Sequence, residues 1–198
     1  MPLFGPSDLL PHQPRRVLVA GTSGSGKSTL ARGIADVLGI PYVELDSLFH
    51  GPQWTPRPQF VDDVQRFVRQ PTWVTEYQYS AVRPLLLGAA DTVVWLDYRR
   101  HFVMRRLVVR TVRRRMTGEQ LWNGNYEPPL STVFTDREHL LRWAWNSHGD
   151  LRRKMAAIMV GQHSSRLAIV RLRGQREVDR WRAGPLRHAA GLDEESVR

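Results

Sequence analysis

The residues Gly21-Thr22-Ser23-Gly24-Ser25-Gly26-Lys27-Ser28 carry the clearest chemistry in the chain. They satisfy G-x-x-x-x-G-K-[ST] in full, a spacing that suits a loop wrapped around phosphates. Gly21, Gly24 and Gly26 allow backbone angles and close approach that a Cβ would obstruct. Ser23 and Ser25 sit between them, so that successive N–H groups line an anion-binding nest. A helix starting at this point adds its partial positive charge. Lys27 reaches toward β and γ phosphates, the Ser28 hydroxyl is placed to ligate Mg²⁺, and Thr29 is assigned to the α-phosphate end. The expected ligand is a purine nucleoside triphosphate, Mg·ATP in particular.

Phosphoryl transfer also needs carboxylates and further cations. Asp46, Glu76 and Asp97 each fall at the end of an expected strand, where open α/β sheets bind ligands. One such acid would hold Mg²⁺ through water, and another would orient or deprotonate an acceptor hydroxyl. The sequence leaves open which does which, and Asp97-Tyr98-Arg99 also reads as a helix start. Arg105, Arg106, Arg110, Arg113, Arg114 and Arg115 crowd one expected helix, with Arg106, Arg110 and Arg114 on a shared face. Such arginines either clamp phosphates or form a solvated or nucleic-acid-binding basic face. His50, Trp54 and Arg57 suit the gripping of an aromatic or sugar-like acceptor. His50 has no metal-spaced partner, and Trp143 and Trp145 read as core.

The elements that must position these groups alternate between two periodicities. Arg16-Val17-Leu18-Val19-Ala20 is a β-branched apolar run of the kind found in a buried parallel strand. Leu30, Ala31, Ile34, Ala35, Val37 and Leu38 then recur at helical spacing, and Gly39 closes that helix. Further strands are expected at 41–46, 73–76, 92–97 and 167–172, with helices from near Pro58, over 80–87 and from 97 to about Met116. Thr135 and Glu138 form a capping box for a helix running to about Val160. The irregular stretch 117–134 between these last two helices is a candidate lid. Alternating strands and helices predict an α/β fold with a parallel sheet and right-handed crossovers.

The 198 residues suit a single domain over 15–184, with the lid at about 115–136, a loose leader over 1–14 and a poorly ordered tail over 185–198. Hydrophobic residues at 41% and charged residues at 24% are ordinary for a globular chain. No apolar run is long enough to span a membrane. The absence of cysteine excludes disulfides and thiolate chemistry and fits a cytoplasmic setting. The net charge of +10 comes almost wholly from arginine and favours anionic partners.

On these motifs the chain resembles the adenylate-kinase-like P-loop proteins, and within them the group labelled DNA topology modulation proteins. The resemblance runs from about Arg16 to Trp181. Besides the loop it rests on Pro41-Tyr42-Val43-Glu44-Leu45-Asp46 with Leu48-Phe49-His50 and Trp54, and on Ala90-Asp91-Thr92-Val93-Val94-Trp95-Leu96-Asp97. Arg106-Leu107-Val108-Val109-Arg110 is similar to the R-x-x-x-R helix that leads into a nucleotide-kinase lid, and Leu121-Trp122-Asn123-Gly124-Asn125 also resembles a recurring segment. The resemblance implies a P-loop three-layer α/β/α fold with a five-stranded parallel sheet in the order 2-3-1-4-5 and a small lid. It implies Glu76 nearest Mg²⁺, Arg106 on adenine or phosphate, and Arg173 flanking the base. Glu76-Tyr77-Gln78-Tyr79 stands where the group has Asp-Gly-Asn-Tyr, and no adenylate-kinase segment for a monophosphate is evident.

The leading expectation is an ATP-dependent kinase of a small-molecule acceptor such as a nucleoside or nucleotide. Lys27, Asp46, Glu76, Arg106 and Arg110 would carry the transfer, with Ser28 and Glu76 serving Mg²⁺. The alternative is an ATP-dependent regulatory protein associated with nucleic acid, which the basic charge motivates but no nucleic-acid motif supports.

Overall fold

The computed structural model describes residues 3–117, 123, 125, 140–161 and 167–192, with backbone alone at 115 and 140–148. Strands β1 (Leu3–Phe4), β2 (Arg16–Ala20), β3 (Trp73–Glu76), β4 (Thr92–Leu96) and β5 (Ala168–Leu172) form one parallel sheet. Across it the order is β3-β2-β4-β5-β1. Helices α1 (Lys27–Leu38), α2 (Leu45–Phe49), α3 (Phe60–Val68), α4 (Arg83–Ala89), α5 (Arg100–Thr117), α6 (Leu140–Val160) and α7 (Gln175–Trp181) intervene.

Three layers follow from strand alternation. In β2, Leu18 and Ala20 join a core with Phe60, Val64, Trp73, Leu86 and Met155. Val17 and Val19 face the other way, into a core with Leu30, Ile34, Tyr98 and Trp181. Successive side chains of a strand point to opposite faces, so a run apolar at every position must be covered on both. That is why the central strands show no polar alternation.

The sheet class and the inner order agree with expectation, but the edges are corrected. Residues 41–46 occupy the place expected beside β3, yet form only a single bridge, Tyr42 to Val74. Val43 N–H donates to the Val74 carbonyl (2.9 Å) and Val74 N–H to the Pro41 carbonyl (2.8 Å). Pro41 has no N–H to offer and α2 begins at Leu45, so no room remains for a longer ladder. The fifth strand is β1, from the segment read as a loose leader, which pairs with Ile169 and Val170. Within the segment expected as tail, Leu186 is fully buried and a helical turn covers Arg187–Ala189. The proposed lid, the capping box at Thr135 and Glu138, and the side chains of Trp143 and Trp145 lie outside the described residues, save the positions already named.

Candidate active site

The glycine-rich loop leaves the C-terminal end of β2 and enters α1 at Lys27. Gly24 (φ 82°) and Gly26 (φ 93°) both adopt left-handed backbone, and Gly26 caps α1. The crowding is as tight as the conformation. A Cβ on Gly24 would lie 2.9 Å from both the Cβ of Leu107 and the Val103 carbonyl, so the loop rests directly on α5. A Cβ on Gly26 would lie 3.4 Å from the Arg106 guanidinium. Ser23 and Thr29 flank this cradle, and the Ser25 hydroxyl is buried without a protein partner.

Sheet register brings the acids to the loop. Glu76, the last residue of β3, pairs with Val19, two positions before Gly21. Its carboxylate is buried (1% exposed); Oε1 accepts from the Tyr42 hydroxyl at 2.6 Å. The Ser28 hydroxyl lies near enough to act on the same carboxylate, while Oε2 is buried with no donor. Burial raises the Glu76 pKa, opposed by the Tyr42 bond, by Ser28 and by Lys27. Lys27 Nζ donates to the Thr22 carbonyl at 3.4 Å. Burial lowers its pKa, Glu76 and Asp46 raise it, and Arg110 and Arg83 lower it. Four charged side chains around the loop thus act on Lys27.

Asp46 belongs to the first turn of α2 rather than to a strand end. Its Oδ1 accepts from Gln78 Nε2 (2.8 Å) and from the Tyr79 hydroxyl. The Tyr79 hydroxyl also meets His50 Nε2 at 3.2 Å. Tyr79 reaches this position from a left-handed backbone (φ 57°), and its ring stacks on Phe49 at 4.3 Å between centroids. Burial and then Asp46 raise the Tyr79 pKa, which keeps its hydroxyl a donor. Burial lowers the His50 pKa, with Asp46 opposing. Beyond His50 the chain turns through Gln53 and Trp54, both left-handed. Asn125 holds this turn, accepting from Trp54 N–H (3.0 Å) and donating to the Gly51 carbonyl (2.9 Å). Asn123 donates to the His50 carbonyl.

Asp97 and Arg57 are both held in ion pairs. Asp97 is committed to structure: it accepts from Arg152 Nε of α6 (2.7 Å) and Arg171 Nε of β5 (2.9 Å). Arg171 also covers the Trp95 ring at 4.7 Å. Arg57 is likewise tied to the Leu48 carbonyl and Asp63. Arg173 is exposed at the end of β5, its N–H bonded to Glu177. A cavity of about 40 Å³ beside the loop is lined instead by Tyr98, Arg106, Gln175 and Arg182 with Ser25, Gly26 and Thr29. On α5, Arg106 and Arg110 are half-buried toward the loop, whereas Arg105 and Arg113 are exposed.

Tyr42, Gln78, Tyr79, Arg83, Gln175 and Arg182 are not among the sequence-predicted site residues. The signal for Tyr79 was its place three residues past Glu76. Tyr42 stood inside the segment 41–46 that carries the resemblance, and Arg83 carried no signal.

The donors fit magnesium. A buried carboxylate oxygen without a partner, beside a serine hydroxyl at the loop, is an all-oxygen set suited to a hard cation that keeps phosphate and water ligands. Among the described residues no trio of His, Asp or Glu gathers as a protein-only metal site. Sheet, loop and α1 together define an α/β fold that carries a P-loop.

No protein-family model matches the chain. A stretch of 46 residues is 44% identical to cytidylate kinase from Nitratidesulfovibrio vulgaris (strain DP4), covering 23% of this chain and 20% of that one. The chain thus spans about a fifth of the length of the curated relatives it matches. A solved gluconokinase from Sinorhizobium meliloti 1021 aligns at TM-score 0.47 and 20% identity over 91% of this chain and 97% of its own. Shikimate kinase from Bacteroides thetaiotaomicron aligns at TM-score 0.48 and 14% identity, over 86% and 95%. Among the described residues no helix is long and apolar enough to cross a membrane.

Proposed function

We propose that this protein is an ATP-dependent kinase of a small-molecule acceptor. The observation that carries the reading is the grouping of half-buried Lys27 and Ser28 with the buried Glu76 at the loop, with Asp46 close enough to act on Lys27. A loop that only bound nucleotide would need no second carboxylate on the side away from Arg106. Membership of the topology modulation group rests on sequence motifs alone, and a cytoplasmic setting belongs to the same proposal.

In this reading the loop N–H groups and Lys27 hold the β and γ phosphates, with Thr29 toward the α-phosphate. Ser28 and Glu76 would hold Mg²⁺, which offsets phosphate charge when bound. Arg106 lies along the nucleoside and phosphates, Arg110 faces charge that builds during transfer, and the cavity at Gln175 and Arg182 takes the place expected for Arg173. Asp46, held by Gln78 and Tyr79, orients an acceptor hydroxyl and takes its proton. The inward turn of Arg106 and Arg110 supports a site role over a nucleic-acid surface. The test is transfer of labelled phosphate from ATP to nucleosides, nucleotides, sugars and hydroxy acids, with Lys27→Ala as the blank. Label in an acceptor that vanishes with Lys27→Ala supports the reading; release of inorganic phosphate alone refutes it.

A further inference from the structure

The loop has two sides, set by strand order. On the β4 side lie α5, Tyr98 and the cavity at Gln175, which suit the nucleoside end of the donor. On the β3 side lie Asp46, Tyr79 and the chain that leads into α4. The second side holds a cation with no assigned work. Arg83, the first residue of α4, lies over the Tyr77 ring at 5.4 Å, and Tyr77 N–H is pinned to the Val19 carbonyl at 2.9 Å. Its Nε is buried without a hydrogen-bond partner, and no carboxylate pairs with it among the described residues. It covers the ring that directly follows Glu76 of that site, and its charge also acts on Lys27.

A buried, unsatisfied guanidinium edge is costly unless a ligand completes it. The tyrosine ring fixes the guanidinium plane but offers no acceptor. What would complete Arg83 is an anion, and a planar guanidinium fork suits a carboxylate or a phosphate. The donor phosphates already have the loop, Lys27 and the α5 arginines from the other side. Asp46 on the β3 side presents Oδ2 without a protein donor among the described residues.

We propose that Arg83 is an anion-binding residue of the acceptor subsite, so that the acceptor is a small hydroxylated molecule carrying a carboxylate or phosphate group. This rests on the kinase reading and deepens it. The acceptor oxygen bonds to Pγ while the bond from Pγ to the β,γ-bridging oxygen breaks. ADP departs with that electron pair, and the hydroxyl proton passes to Asp46. The acceptor's own anion stays on Arg83 and takes no part in bond making.

The test uses the full chain loaded with Mg²⁺ and a non-hydrolysable ATP analogue. Matched three-, five- and six-carbon polyols in neutral, carboxylated and phosphorylated forms are titrated by calorimetry, alongside a nucleoside and its monophosphate. Binding of an anionic member, at least about tenfold tighter than its neutral match and lost in Arg83→Ala, is the expected result. Arg83→Lys should restore part of it, because charge returns without the fork. The carboxylated and phosphorylated arms tell the two anions apart. Equal binding of neutral and anionic members, or a loss in Arg83→Ala that falls on the ATP analogue instead, would overturn the proposal. Anion binding that needs Arg83, with no labelled product from ATP, would support the subsite and refute the kinase reading alone.

Discussion

Gly24→Ala probes whether the phosphate loop is braced by α5. Two effects combine there. An L-residue at φ 82° costs about 1–2 kcal/mol in backbone strain. The new Cβ also meets Leu107 Cβ and the Val103 carbonyl at 2.9 Å, atoms of a helix that cannot yield like a flexible side-chain tip. Overpacking of that kind costs about 1–3 kcal/mol. Gly39→Ala supplies the control: its φ of 64° carries similar strain, but nothing lies within 4 Å of the added carbon. Both changes stiffen the unfolded chain alike, by about 0.4–1 kcal/mol. The difference between the two variants in denaturant unfolding therefore isolates the collision, at about 1–3 kcal/mol. Because α5 carries Arg106 and Arg110, Gly24→Ala should also weaken ATP binding while Gly39→Ala leaves it unchanged. Equal destabilisation with equal ATP affinity would show that α5 does not seat the loop.

Other outcomes follow from the same geometry. Burial lowers the Lys27 pKa below 10.5, so between that lowered value and 10.5 the unfolded chain binds more protons than the folded one. Without ATP, Lys27→Met should be more stable than the parent at neutral pH, and its advantage should shrink as pH rises through that window; a constant difference by denaturant unfolding would refute the burial. Tyr42→Phe removes the 2.6 Å donor to Glu76 and should weaken Mn²⁺ binding to the ATP-loaded protein, read by paramagnetic resonance, with metal-free ATP affinity unchanged. Asp97→Asn should cost about 1–3 kcal/mol of stability by loosening Arg152 and Arg171, without a change in ATP affinity. Arg110→Ala should depress turnover more than ATP affinity, and a loss of affinity alone in steady-state kinetics would remove it from the transfer step.

The glycine-rich loop was legible because it is local. A glycine pattern, a lysine and a serine within eight residues dictate their own backbone, and the apolar runs on either side announce strand and helix. Glu76 was legible for a similar reason, at the end of a run whose direction a parallel sheet fixes. Interactions between distant segments were not. Leu3–Phe4 is too short to show periodicity, and becomes a strand only because β5 leaves an edge open at Ile169 and Val170. Asp97 looks like a site candidate until strand pairing sets Leu96 beside Leu172 and brings Arg171 to it. Asp46 was placed near the loop for an incorrect reason, since α2 and not a strand presents it. Arg83 had no motif to mark it, because its significance lies in a buried nitrogen without a partner.

The central claim is that ATP's terminal phosphate is transferred rather than released. The direct measurement is ³¹P resonance of the full chain turning over Mg·ATP in a small-molecule extract. The account predicts a phosphate-ester signal that grows as ATP declines and is absent with Lys27→Ala. Growth of inorganic phosphate alone, at the same rate with and without the extract, would contradict it.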